Sequence, residues 1–199
     1  ELTIRRMIKY LLFIDLTKAY DSVVIQILIY KLKQRLRKDD WYVIGIIISL
    51  FSGTSITAIV NGYPTTAIKM QRGLLQGSVL SPILFNIYID DLPRILQAPD
   101  GSSGLSSLLY ADDIVIFATE WDKLLRLAEC VVRWCKTNFM TINVKKSGLL
   151  SSNLNPSGSA LLESLQTCTG LQLKTCEVYK YLGVPFGQHG IQWDSYIPS

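Results

Sequence analysis

Histidine is almost missing: His189 is the only one in 199 residues. It stands in a Gly-rich tail, and no role falls to it. Chemistry built on imidazole, whether acid–base relays or nucleophilic triads, is thereby nearly excluded. Cysteine is also scarce. Cys130, Cys135, Cys168 and Cys176 follow no zinc-binding spacing, and one histidine cannot complete such a set. Reduced, mostly buried thiols in an intracellular protein are the expectation. No run is long enough to cross a bilayer, which takes about 20 apolar residues. The longest, Val43 to Phe51, is interrupted by Gly45 and Ser49 and reads as a core helix. No secretory leader is expected, because Glu1 to Arg6 lead straight into a strand. Internal repeats and low-complexity tracts are absent too.

An excess of one charge is also lacking. Twenty basic against sixteen acidic residues leave +4, which by itself says little about nucleic acid. One denser cluster, Lys31, Lys33, Arg35, Arg37 and Lys38, is either a solvated helix face or a phosphate-backbone contact. What is abundant is apolar surface: 49% hydrophobic residues and a mean hydropathy of +0.26 suit a buried sheet covered by helices. The length fits one domain over residues 1–199 with a sizeable core.

Periodicity gives a strand at Leu11 to Asp15 and helices at Val24 to Arg37 and Trp41 to Phe51, the second ended by Gly53. Ser55 to Val60 alternates like a strand, Asn61-Gly62 marks a turn, and Thr65 to Gln71 pairs back. Val79 to Leu96 reads as a helix with Pro82 in its first turn, kinked or ended by Pro93. Pro99 to Ser107 is a Gly/Ser loop. Trp121 to Phe139 is a helix with a stripe of Leu124, Leu127, Ala128, Val131, Val132 and Cys135. Residues 151–170 read mainly as a flexible loop, with a helical turn at Leu161 to Leu165. Residues 171–186 read as a hairpin, with arms at Leu171 to Lys174 and Glu177 to Val184. Strands interleaved with helices make the class α+β, an antiparallel sheet backed by helices.

Chemistry concentrates at Tyr110-Ala111-Asp112-Asp113, set between apolar runs that read as two strands with a two-aspartate turn. Paired carboxylates in an apolar hairpin are costly unless a cation neutralises them. Hard oxygen ligands suit a divalent metal. The apolar run Leu11 to Ile14 ends in a further carboxylate, Asp15. If the two strand systems lie side by side, Asp15, Asp112 and Asp113 converge, and could hold two metal ions about 4 Å apart, the arrangement of phosphoryl-transfer enzymes.

Five blocks in series carry a resemblance. They are Phe13-Ile14-Asp15-Leu16-Thr17-Lys18-Ala19-Tyr20-Asp21-Ser22-Val23; Arg72-Gly73-Leu74-Leu75-Gln76-Gly77-Ser78-Val79-Leu80-Ser81-Pro82-Ile83-Leu84-Phe85-Asn86; Leu109-Tyr110-Ala111-Asp112-Asp113; Asn143-Val144-Lys145-Lys146-Ser147; and Tyr179-Lys180-Tyr181-Leu182-Gly183-Val184. Together they resemble the palm region of reverse transcriptases, most closely those of non-LTR retrotransposons. The resemblance implies a right-hand polymerase palm performing RNA-directed DNA synthesis with two Mg²⁺ ions, or Mn²⁺. It implies Asp15, Asp112 and Asp113 as metal ligands and catalytic residues, with the backbone carbonyl of Leu16 completing the set. Lys146 would donate a proton to pyrophosphate, with Lys145 as the alternative. Lys18 and Ala19 would offer backbone N–H groups to the triphosphate. Tyr20 would exclude a 2′-hydroxyl, unless it is a plain core tyrosine. Gln76 would contact the incoming nucleotide, Gly77 would let backbone approach the template base pair closely, and Arg72 would contact a phosphate. Tyr181, Leu182 and Gly183 would grip the primer.

The implied partners are an RNA template, a DNA primer, deoxynucleoside triphosphates and the rest of a retroelement polyprotein, with no membrane. The implied location is the nucleus or a cytoplasmic ribonucleoprotein. Fingers, thumb, endonuclease and RNase H regions are not expected within this stretch. An RNA-dependent RNA polymerase usually carries Gly-Asp-Asp at its turn and a second aspartate in its first block to accept the ribose hydroxyl; Tyr20 stands at that gate here, so deoxynucleotides are favoured. A non-catalytic or decayed palm that still binds nucleic acid is the alternative from another class.

Overall fold

A computed structural model describes residues 8–51, 54–97, 106–151, 158–188 and 190–192. Gly53, His189 and much of the Pro99–Ser107 segment lie outside them. The contacts divide the chain into two compact units, one of Glu1–Thr17 with Asp91–Ser199, the other of Lys18–Asp90.

The strands in chain order are β1 (Tyr10–Asp15), β2 (Ser55–Ile56), β3 (Ile59–Val60), β4 (Tyr63–Pro64), β5 (Ile68–Lys69), β6 (Ser107–Tyr110), β7 (Asp113–Ala118), β8 (Gly148–Ser151), β9 (Lys174–Thr175), β10 (Val178–Tyr181), β11 (Val184–Gly187) and β12 (Gly190–Ile191). In the first unit five of them form a sheet in the order β6-β7-β1-β8-β9. β1 runs antiparallel to both β7 and β8, and only the β8–β9 pair is parallel.

β1 is the centre of this sheet, and both of its faces are covered. Leu12 and Ile14 share one face with their partners Ile116, Ile114 and Leu149, all 2% exposed or less. The helix Trp121–Thr137 packs on β1 and β7. Its buried stripe is Leu124, Leu127, Ala128, Val131, Trp134 and Cys135. Trp134 thus takes the place expected for Val132, which is only half-buried. Its indole N–H is satisfied by Asp91 Oδ1 at 2.8 Å, as a buried donor requires.

The other face is aromatic. Phe13, Val115 and Leu150 pack with Tyr181, and with Tyr179 and Phe186 from the β10–β11 hairpin. Phe13 and Tyr179 stack with centroids 4.1 Å apart and planes 8° from parallel. The hairpin lies later than expected: its arms are β10 and β11, joined at Leu182-Gly183. Lys174-Thr175 joins β8 instead. Leu182 and Gly183 have φ of 48° and 84°, the mirror-image turn that matches strand twist. The loop expected over 151–170 contains a helix, Gly158–Thr169, which packs on the Trp121–Thr137 helix.

In the second unit the helix Ile25–Arg35 packs on the helices Tyr42–Phe51 and Leu80–Ile89. The apolar run at Val43 to Phe51 is not a core helix. Only Ile44 and Ile47 are buried, while Ile46, Ile48 and Leu50 are 40–54% exposed. The predicted Asn61-Gly62 turn is present, with φ of 51° and 81°. Its hairpin is broken, however. β3–β4 and β2–β5 are separate pairs, bridged where Thr65 N–H donates to the Ala58 carbonyl at 2.8 Å. The helix at Val79 to Leu96 is interrupted at Asp90, and Pro93 falls in the first turn of the next helix, Asp91–Leu96. Proline lacks the N–H that would have bonded Ile89, so one continuous helix is disfavoured.

Four of the five clustered cations are engaged within this unit. Lys31 donates to the Tyr88 carbonyl at 2.5 Å, Lys33 lies over the Trp41 ring, and Arg35 and Arg37 pair with Asp90 and Asp40. That favours the plain helix-face reading of the cluster. The four cysteines are free, but only Cys135 is buried and Cys168 is exposed. Burial pushes the Cys135 thiol up to about 12. Among the described residues no helix is long and apolar enough to cross a membrane.

Phe13→Ala should cost about 3–5 kcal/mol in urea unfolding, the range for emptying an aromatic site in a packed core. A loss under about 1 kcal/mol would show that the aromatic face does not hold the sheet.

Candidate active site

Strand register brings the carboxylates together. Asp15 closes β1 and Asp113 opens β7, and the two are direct partners in the ladder. Side chains of paired residues share one face, so both project on the face that carries Phe13 and Val115. The turn differs from the expected two-aspartate form. Ala111 and Asp112 are its central residues, and Asp113 belongs to the strand. Ala111 has φ of 51°. This turn geometry favours glycine at that position, and an alanine there costs about 1 kcal/mol. The strain bends the chain back within two residues and leaves Asp112 beside the strand-end pair.

Asp113 is half-buried, and its carboxyl is held above its ordinary 3.8. Burial is the largest cause, followed by the charges of Asp112 and then Asp15, with Lys146 pulling the other way. Both other aspartates therefore act on it directly. Lys146 Nζ lies 3.9 Å from Asp15 Oδ1, whereas no such contact falls to Lys145.

A short segment is laced against the end of β1 to make this possible. Leu16 bridges Ile142, Thr17 N–H donates to the Thr141 carbonyl at 2.8 Å, and Asn143 N–H donates to the Asp15 carbonyl at 2.8 Å. The Ser147 hydroxyl donates to the Asn143 carbonyl at 2.8 Å and accepts from the Asp15 N–H at 3.1 Å. Tyr179 then donates from its phenol to the Lys146 carbonyl at 2.8 Å. Burial, with Asp15 and Asp113 next, pushes the Tyr179 phenol up to about 12, so it stays a neutral donor. Ser147 and Tyr179 were visible in the sequence only as members of their blocks. Nothing local marked them as partners of the carboxylate site.

The donor set suits a divalent cation in kind: carboxylate oxygens, two of which raise the proton affinity of Asp113, and a backbone carbonyl. The hydrogen bonds at the Leu16 bridge run through Thr17 and Asp15, so the bridge itself does not use the Leu16 carbonyl. Among the described residues, however, no three acidic, histidine or cysteine side chains close into a ready cation cage.

The remaining candidates belong to two places. Tyr181 is buried in the aromatic cluster, and Leu182-Gly183 form the exposed hairpin tip of the first unit. Lys18, Ala19, Tyr20, Arg72, Gln76 and Gly77 all lie in the second unit. Lys18, with φ of 47°, precedes the short helix Ala19–Ser22. The Tyr20 ring stacks on Phe85 at 4.7 Å, and its carbonyl accepts from Leu74 N–H at 2.9 Å. Gly73 N–H donates to the Val23 carbonyl at 2.8 Å, and a Cβ on Gly73 would meet Asp21 backbone at 3.0 Å. Gln76 donates to Asp21 Oδ1 at 3.0 Å. Gly77 has φ of 85° with open space beside it; the backbone angle, not close approach, calls for glycine. Arg72 lines an open groove of about 460 Å³ with Lys69, Gln26 and Phe51.

Residues 1–186 match the family described as reverse transcriptase (RNA-dependent DNA polymerase). The retrovirus-related Pol polyprotein of the type-1 retrotransposable element R2 from Popillia japonica is 27% identical over 192 residues, covering 89% of this chain and 31% of the relative. The RNA-directed DNA polymerase from mobile element jockey of Drosophila melanogaster is 26% identical over 179 residues, covering 86% of this chain and 19% of the relative. The chain thus spans a third or less of the length of these relatives. Among solved structures, apo telomerase from Candida tropicalis truncated from its C-terminal domain aligns over 96% of this chain and 38% of that one, at TM-score 0.70 and 13% identity. That similarity speaks to the fold.

The raised Asp113 pKa sets a pH test. Below 3.8 the carboxyl is protonated whether folded or unfolded, so it costs nothing. As pH climbs through the window above 3.8, the unfolded chain ionises first and stability falls. Relative to the parent, Asp113→Asn should therefore melt higher at about pH 7 than at about pH 3, without added metal. A difference that stays constant across that range would contradict the assignment.

Proposed function

The chain belongs to the reverse transcriptase family, and from that premise we propose that it is the palm of an RNA-directed DNA polymerase of non-LTR retrotransposon type. It would extend a DNA primer on an RNA template with deoxynucleoside triphosphates. The observation that carries this reading is the pairing of Asp15 with Asp113 across β1 and β7, with Asp112 in the adjoining turn.

The roles follow from the chemistry of those residues. Asp15, Asp112 and Asp113, with the Leu16 carbonyl, would hold two Mg²⁺ or Mn²⁺ ions, which supply charge neutralisation and acidify a 3′-hydroxyl in nucleotidyl transfer. Asp113, whose ionised form is disfavoured by burial and by its neighbours' charges, would gain from a nearby cation. Lys146 would give a proton to the leaving pyrophosphate; its closeness to Asp15 supports it over Lys145. Tyr20, its ring fixed on Phe85, is the candidate gate against a 2′-hydroxyl. A rigid stacked ring resists displacement by one extra oxygen. Lys18 and Ala19 would offer N–H groups to the triphosphate, Arg72, Gln76 and Gly77 would meet nucleotide and template, and the Leu182-Gly183 tip with Tyr181 would meet the primer. The rest of a longer polyprotein would supply the remaining contacts, in an intracellular ribonucleoprotein.

Primer extension on an RNA template with Mg²⁺ or Mn²⁺ tests the reading, using this chain and a longer polypeptide that includes its flanks. Asp112→Asn should lower extension by about 100-fold or more while the melting transition persists. Parental rates in that variant would end the carboxylate assignment. Tyr20→Ala should raise ribonucleotide use relative to deoxynucleotide by about 10–100-fold. Unchanged sugar discrimination would return Tyr20 to the core.

A further inference from the structure

Lys146 is a long side chain, 70% exposed, yet its ammonium sits 3.9 Å from Asp15. Such a side chain has many rotamers, and a solvated ion pair holds it only weakly. Its aim must come largely from its backbone. Most of the bonds that fix that backbone are local to residues 143–147 or come from β1: Lys146 N–H and Ser147 N–H both donate to the Asn143 carbonyl, at 3.1 and 2.9 Å. One comes from elsewhere. The Tyr179 phenol, on β10, donates to the Lys146 carbonyl at 2.8 Å. Its ring is in turn held flat on Phe13, two residues before Asp15 in β1.

We propose that Tyr179 is a positioning residue that holds Lys146 against Asp15. Phe13 thereby serves both ends of the contact: through the strand it sets Asp15, and through the stacked ring it sets the phenol that pins Lys146. It follows that the β10–β11 hairpin and the Asn143–Ser147 segment move as one piece. A primer terminus seated on the hairpin tip would thus be sensed at Lys146. This inference rests on the polymerase reading given above.

Tyr179→Phe removes the hydroxyl and keeps the stacked ring. In the longer, active polypeptide, the amides of Lys146 and Ser147 should exchange with solvent about fivefold faster, with the melting midpoint nearly unchanged. The maximal extension rate should drop about fivefold, the scale of one neutral hydrogen bond, with KM for the deoxynucleotide unaltered. In a Lys146→Ala background the same substitution should change the rate no further. Unchanged amide exchange would overturn the proposal, and so would an equal rate loss with and without Lys146. A parent polypeptide that extends no primer at all would instead overturn the polymerase reading, a result distinct from an active parent indifferent to the phenol.

Discussion

Like charges at one end of a sheet repel, and the first unit is organised around tolerating that repulsion. Asp15 and Asp113 are cross-strand partners, the arrangement that ordinarily destabilises a ladder. Asp112 adds a further charge from the adjoining turn. The cost is offset by what lies behind them. β1 is clamped between β7 and β8, with aliphatic side chains and a helix on one face and stacked aromatic rings on the other. A strand so fully buried cannot slip by one residue without turning its whole apolar set outward. The register that forces two carboxylates together is therefore the same register that the core stabilises.

The strain at Ala111 belongs to this arrangement. A glycine would relax the turn, but alanine stands there with φ of 51°. Backbone strain of this kind persists only where surrounding structure over-determines it, and here the ladder of β6 and β7 does so from both sides. The lacing of residues 141–147 onto the end of β1 adds a counter-charge near Asp15 without burying it. A solvated lysine contributes little to stability, so this contact does little to hold the fold.

The second unit is built differently. Its segments meet through backbone bonds, as where Gly73 and Leu74 bond the Val23 and Tyr20 carbonyls, and through side chains, as where Gln76 donates to Asp21. A side chain at Gly73 would strike the Asp21 backbone, so the two blocks that meet there are matched by close packing. The apolar surface it leaves exposed, on the Tyr42–Phe51 helix and the broken hairpin, explains why periodicity misjudged that helix. A continuous apolar run looks the same whether a neighbour covers all of it or only one side.

Much was legible in the chain alone. Alternation and apolar runs located β1, β6 and β7; the amphipathic period located the Trp121–Thr137 helix; Asn61-Gly62 announced its turn. Ordered motifs named the carboxylates and the family. These are short-range signals, carried by spacing along one segment. Tertiary structure decided the rest. It put Asp113 in the strand and Asp112 in the turn, set Lys146 within 3.9 Å of Asp15, gave Trp134 the place expected for Val132, made a helix of residues 158–169, and tied Tyr179 to the Lys146 carbonyl. Each of these depends on which distant segment arrives at a given position, and on the volume and charge it brings. Spacing within a segment carries no information about either.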